Sequence, residues 1–114
     1  MSNLNQKHCE PCEGIGEPLN QAQINALLPQ LNDAWQVSED ATIIHRKFEF
    51  NNFHETMAFM NAIAWIAHQE NHHPDVNLGY NTCHVHFMTH ALNGLSHNDF
   101  ICAAKIDQLL FQRD

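Results

Sequence analysis

Residues 68–99 read HQENHHPDVNLGYNTCHVHFMTHALNGLSHND, and the fold follows from how this stretch is punctuated. Pro74 lacks an amide hydrogen and biases His73 towards extended backbone, so a helix arriving from upstream stops at about Glu70. Val76 and Leu78 then alternate with Asn77, Gly79-Tyr80-Asn81 supplies a turn, and Cys83, Val85 and Phe87 alternate with His84, His86 and Met88. That alternation, with side chains pointing to opposite faces at successive residues, predicts a hairpin whose second arm runs from Thr82 to Met88. Ser96 with Asp99 three residues on marks a helix start, followed by Phe100, Ile101, Ala104, Leu109 and Leu110 as its apolar set.

Upstream the same signals recur. Asn52 caps a helix and Glu55 completes the capping box. Phe53, Met57, Met60, Ala64 and Ala67 follow the spacing of a buried stripe, widened by Phe59, Ile63 and Ile66. Before it, Trp35 to Val37 and Thr42 to Phe50 predict a hairpin turning at Ser38-Glu39-Asp40. Ile44, Arg46, Phe48 and Phe50 share the inward parity of its second strand, with His45, Lys47 and Glu49 opposite; Arg46 breaks the apolar face and is expected near the sheet edge. A first helix starts after Asn20, boxed by Gln23, buries Ile24, Leu27, Leu28 and Leu31, and is weakened by Pro29. Residues 1–18 carry Pro11, Gly14, Gly16 and Pro18 with little apolar content and read as an irregular, mobile arm; residues 19–114 form a single domain. The order α-β-β-α-β-β-α predicts an α+β domain, a four-stranded antiparallel sheet with three helices packed on one face. The other face, with His84, His86 and Met88, is either wet or covered by another subunit.

Composition narrows the function classes. The net charge of −8 with only five Lys plus Arg repels phosphate backbones and anionic membranes, so no direct nucleic-acid or membrane partner is expected. Neither a signal-peptide stretch nor an apolar run long enough to span a bilayer is present, which points to the cytoplasm. Ten histidines are the anomaly; if all were protonated the net charge would pass from −8 to +2. Cys9 and Cys12 form a CxxC pair, but a structural zinc site wants four ligands and no second pair exists. His84 and His86 lie on one strand face at chelating spacing, with no carboxylate or cysteine obviously beside them. No metal or other cofactor is therefore expected.

The chemistry is expected at His72, His73 and His90. The first two sit where a helix ends, and the third follows the last strand, which the hairpin returns beside that helix end. Taken with their neighbours, these residues resemble the pterin-4a-carbinolamine dehydratases. That family carries Glu, Asp, Lys or His, then three residues, then His-His-Pro, an aromatic, a His or Trp, and an Asp. This chain supplies His68, His72-His73-Pro74, Tyr80, His90 and Asp99 at that spacing, over roughly residues 20–112. An acidic residue is common in the family where His68 stands. The resemblance implies dehydration of a 4a-hydroxytetrahydropterin to the quinonoid dihydropterin, with His72, His73 and His90 catalytic and His68, Pro74, Tyr80 and Asp99 about the substrate. Imidazole suits both proton transfers because its pKa lies near the working pH. From the residues alone, Tyr80 is equally a turn aromatic, Asp99 reads as a helix cap with Ser96 ahead of a substrate contact, and the acid and the base stay unassigned. The resemblance also implies a functional link to an aromatic amino-acid hydroxylase and a homodimer or homotetramer. The strand from Thr82 to Met88, without Pro, Lys or Arg, is taken as an outer strand that a second copy would pair with. A non-catalytic binding or dimerisation module on the same fold and a His-rich metal-binding protein are the alternatives.

Overall fold

The computed structural model describes residues 3–10 and 16–111. Helix α1, Gln21–Leu27, begins with the expected reciprocal box: Asn20 Oδ1 accepts from the Gln23 amide and Gln23 Oε1 from the Asn20 amide, both at 2.9 Å. Pro29 falls in a 3-10 turn, Leu28–Gln30, that follows directly, so the proline costs no interior hydrogen bond. Strands β1, Gln36–Val37, and β2, Ile44–Glu49, are joined by a turn in which Ser38 Oγ accepts from the amides of Thr42 and Ile43. Helix α2, Phe53–Glu70, starts at Asn52, whose side chain accepts from the Glu55 amide at 2.9 Å. Strands β3, Asp75–Leu78, and β4, Thr82–Phe87, make the second hairpin, and helix α3, His97–Phe111, closes the domain.

The sheet is antiparallel throughout, in the order β1-β2-β4-β3. Strand β4 therefore lies inside the sheet, paired with β2 from Glu49↔Thr82 to Ile44↔Phe87 and with β3 on its other side. This corrects the expectation of Thr82 to Met88 as an outer strand. The open edges are β3 and the length of β2 beyond His45, because β1 covers only Ile44 and His45. The absence of Pro and Lys from β4 reflects a strand paired on both sides, where proline would remove a ladder hydrogen bond.

Ile44 and Phe48 of β2 and Cys83, Val85 and Phe87 of β4 are buried under the helices and form one cluster with Phe59, Ile63, Phe100 and Ile106. Arg46 shares that face beside the point where β1 ends. Its guanidinium stacks 4.3 Å from the Phe48 ring centroid and donates to Asp107 Oδ1 at 2.8 Å. Asp107 also accepts from the Trp35 indole at 2.8 Å and the Asn32 amide at 3.1 Å, so the inward charge is matched from α3. The other face carries His45, Lys47, Glu49, His84 and His86.

Helix α2 buries the widened part of the expected stripe and leaves its outer members exposed. Its buried residues are Thr56, Phe59 and Ile63, with Met60 and Ile66 packed against the core, whereas Phe53 and Ala64 are exposed. The helix carries apolar residues on both sides, so two stripes compete and periodicity alone does not choose between them. Phe53, Trp65 and, from the hairpin turn, Tyr80 are left as exposed large apolar side chains.

The described part of the N-terminal arm is held against the domain. Leu4, in a 3-10 turn Leu4–Gln6, is 1% exposed and joins the core. Lys105 Nζ donates to the Asn5 carbonyl at 3.0 Å, and Asn5 Nδ2 donates to Gln108 Oε1 at 3.1 Å. Cys12, half of the CxxC motif, lies outside the described residues.

The two stripes of α2 separate in a denaturant titration. Ile63→Ala, which empties fully buried volume, is expected to lower unfolding free energy by about 2–5 kcal/mol. Ala64→Ser, on the exposed side, should change it by no more than about 0.5 kcal/mol. The reverse ranking would contradict the burial of Ile63.

Candidate active site

Helix α2 ends at Glu70 with Asn71 as its C-cap, ahead of Pro74. Asn71 takes a left-handed conformation (φ 52, ψ 42), and its amide donates back to the carbonyls of Ala67 and His68. Asparagine tolerates this region better than most side chains. The His72 amide also returns to the Ala67 carbonyl at 3.2 Å, so the side chain of His72 leaves a rigid cap in a set direction.

That direction leads to a buried carboxylate. His72 Nε2 is 2.6 Å from Oδ1 of Asp99, which is 0% exposed. The other oxygen, Oδ2, accepts from the Thr89 hydroxyl at 2.8 Å and the Ser96 amide at 2.9 Å. With the Thr89 proton committed to Asp99, the 2.7 Å contact between Thr89 Oγ1 and Ser96 Oγ has Ser96 as donor. An ionised carboxylate only accepts, so with Asp99 ionised the donor in this contact is His72 Nε2. The His72 ring lies parallel to Phe87, 7° between planes and 5.9 Å between centroids, which fixes its plane as well.

His90 comes from the loop after β4. It opens a 3-10 turn, His90–Leu92, clamped by the bridge between Thr89 and Gly94 and by left-handed Asn93 (φ 53). His72, His73 and His90 together line an open cleft of about 390 Å³. His73 and His90 are exposed, while His72 is half-buried against Asp99. Thus the three imidazoles expected from sequence meet, and Asp99 serves both as cap of α3 and as anchor of His72.

The other expected residues lie elsewhere. His68 is exposed on α2 beside Trp65, 5.7 Å between ring centroids, and does not line the cleft. Pro74 leads into β3, outside the lining. Tyr80 is 66% exposed in the β3–β4 turn and stacks on Phe53, the first residue of α2. An 18-residue helix is about 27 Å long, so Tyr80 and His72 stand at opposite ends of α2.

The cleft also holds residues that the histidine pattern did not indicate: Cys9, Glu10, Glu70, Thr89 and Asn98. Glu70 Oε1 accepts from the Cys9 amide at 2.7 Å, and Oε2 meets His8 Nδ1 at 3.0 Å and Lys105 Nζ at 3.7 Å. Burial works against its charge, but these partners outweigh it and hold the carboxyl below its usual range. Asn98 pairs twice with the backbone of Glu10, at 3.0 and 2.7 Å. Cys9 Sγ lies 3.4 Å from Cys102 Sγ, and that contact followed by burial raises the Cys102 thiol. The arm therefore forms part of the cleft wall. Its only sequence signal was the cluster of His8, Cys9 and Cys12 in a stretch otherwise read as irregular.

Comparison with known proteins bears on the family and the fold. Residues 17–109 match the family model described as pterin 4 alpha carbinolamine dehydratase. A protein of Legionella pneumophila (strain Lens) named "Putative pterin-4-alpha-carbinolamine dehydratase" is 72% identical over 109 residues, 96% of each chain. One of the same name from Nitrosomonas eutropha is 52% identical over 110 residues, again 96% of each. The crystal structure of a transcriptional coactivator/pterin dehydratase from Brucella melitensis superposes with a TM-score of 0.77 and 31% identity, covering 82% of this chain and 98% of that one. A pterin dehydratase-like RuBisCO assembly factor of the alpha-carboxysome, 22% identical with a TM-score of 0.59 over 68% of this chain and 90% of that one, shares the fold.

The Glu70 anchor carries a pH signature. Its folded pKa lies below the ordinary value of 4.5, so the unfolded chain binds the proton first as pH falls. The stabilisation is whole above that value and is lost as pH drops through the folded pKa. In urea titrations, Glu70→Gln is expected to be less stable than the parent at pH 7, with the gap closing below about pH 4.5. A gap that is constant or widens towards acid would contradict the assignment.

Proposed function

The chain belongs to the pterin-4a-carbinolamine dehydratase family, and from that premise we propose that it converts 4a-hydroxytetrahydropterin to quinonoid dihydropterin and water through His72, His73 and His90. The observation that carries this reading is the 2.6 Å contact between His72 and buried Asp99, at a cleft whose rim holds two further imidazoles from separate elements. A cleft of about 390 Å³ falls within the usual range for small-molecule sites.

The reaction breaks the C4a–O bond and forms the C4a=N5 double bond. One proton joins the departing hydroxyl, which leaves as water, and one leaves N5, so charge and atoms balance without an oxidant or a cofactor. Each transfer needs a group able to hold or release a proton near neutral pH. Asp99 holds His72 in the Nε2–H tautomer and turns Nδ1 to the reaction, much as a carboxylate orients a catalytic histidine in other enzymes. His73 and His90, open to solvent, exchange protons with bulk water between turnovers. Asp99 is a positioning residue in this scheme, because it acts through His72. A pterin-dependent hydroxylation of an aromatic amino acid supplies a 4a-hydroxylated pterin, which is the class of reaction that would precede this one.

The exposed apolar residues support self-association as part of the same reading. Phe53, Trp65 and Tyr80 are 50%, 60% and 66% exposed, and Phe53 and Tyr80 stack on one another. A second copy packed on the outer face of α2 would cover Phe53 and Trp65, giving a homodimer or, with a further contact, a homotetramer.

Stopped-flow decay of 4a-hydroxytetrahydropterin tests the chemistry. His73→Ala and His90→Ala are each expected to slow the enzymatic rate at least about tenfold with circular dichroism unchanged. Exhaustive chelation should leave the parent rate intact. Full activity in both variants, or loss on chelation that zinc restores, would refute the histidine acid–base scheme. Sedimentation equilibrium tests the assembly: a mass at a multiple of 13.1 kDa is expected, and a clean 13.1 kDa species at micromolar concentration would rule it out.

A further inference from the structure

Three imidazoles gather on the sheet face turned away from the helices, and none of them lines the cleft. His84 and His86 are two residues apart on β4 and so project from the same side. His45 is the register partner of His86 on β2 and shares that side. The three rings lie close: centroids are 4.2 Å apart for His84 and His86, 5.2 Å for His45 and His84, and 5.5 Å for His45 and His86. His45 Nδ1 and His84 Nε2 approach to 3.1 Å, and one nitrogen from each of the three lies within 4.8 Å of the others.

These distances suit a metal ion. Two nitrogens at about 2.0–2.1 Å from a tetrahedral zinc stand about 3.3 Å apart. The His45–His84 pair is already at that separation, and a small rotamer adjustment brings in His86. All three are half-buried and rise from paired strands, so the backbone fixes their spacing before any ion arrives. A sheet offers this arrangement naturally, with two ligands at i and i+2 and a third across the ladder. We propose that His45, His84 and His86 bind one divalent transition-metal ion of the zinc class, with the fourth coordination position open to solvent. Three neutral nitrogen donors disfavour calcium and magnesium, which take oxygen ligands. Asp75 stands opposite His86 in register and adds negative charge beside the ion, while Lys47 opposite His84 opposes it. The net charge of −8 favours a cation at longer range. This site is separate from the proposed dehydration chemistry, so either can fail without the other.

The test is a zinc titration of untagged, chelator-stripped protein against a chromophoric competitor, with cobalt(II) absorbance as the geometric readout. The expected result is one equivalent bound at micromolar zinc or below, with the visible band of a tetrahedral cobalt site. His84→Gln and His45→Gln, each on a solvent-facing position and checked by circular dichroism, should weaken binding at least about tenfold. Cys9→Ser and His73→Ala should leave it unchanged. Absence of binding at micromolar zinc, retention of parental affinity in both glutamine variants, or loss in Cys9→Ser would overturn the proposal.

Discussion

A carboxylate with no exposure to water has to find its hydrogen bonds inside the protein, and Asp99 finds them on three elements at once. His72 follows the end of α2, Thr89 follows β4, and Ser96 immediately precedes α3. An ionised group left unpaired in that position would be unstable by several kcal/mol or would take up a proton. The demand of one charge therefore fixes where a helix end, a strand end and a helix start must meet. Asp99 also sits in the first turn of α3, where its charge complements the helix dipole. The cleft is the concave remainder of that junction, and the histidines on its wall inherit their geometry from it.

The sheet distributes the histidines between two environments. Toward the helices, its residues are apolar except for Arg46, which Asp107 neutralises. Phe87 from that inner face supplies the surface on which His72 lies flat. Toward the other side, His45, His84 and His86 face one another; burial, followed by their mutual charge, lowers the pKa of His45 and His84. The abundance of histidine thus separates into one group organised by a carboxylate and another organised by strand pairing. The first has a buried carboxylate beneath it.

The elements were legible because local chemistry marked them. Asn20 with Gln23 shows the expected reciprocal box, Asn52 accepts from the Glu55 amide while the Glu55 side chain takes the Asn51 amide instead, and the alternation from Cys83 to Phe87 gives the expected inward face. The meeting of His72, His73 and His90 was legible too, since a hairpin must return the end of β4 toward the end of α2. What failed to show was anything set by long-range register. Whether β4 is an outer or an inner strand depends on its pairing with β2, which no local spacing encodes. The third imidazole of the outer cluster, His45, was hidden for the same reason, although its parity was correct. The buried side of α2 was obscured by apolar residues on both sides, and the docking of the arm rests on Leu4, a single side chain in a polar stretch. The capping residue Asn71 was overshadowed by Pro74, three residues later.

The central claim is that buried Asp99 holds His72 in one tautomer, with its proton on Nε2 and its Nδ1 free for exchange. Long-range proton–nitrogen correlation spectra of the histidine side chains, recorded near neutral pH on protein labelled with nitrogen-15, read this directly. The account predicts that the His72 ring shows a protonated Nε2 in the parent and that Asp99→Asn, if it retains the fold, removes this preference. A His72 ring protonated at Nδ1 alone, or an unchanged tautomer in Asp99→Asn, would contradict it.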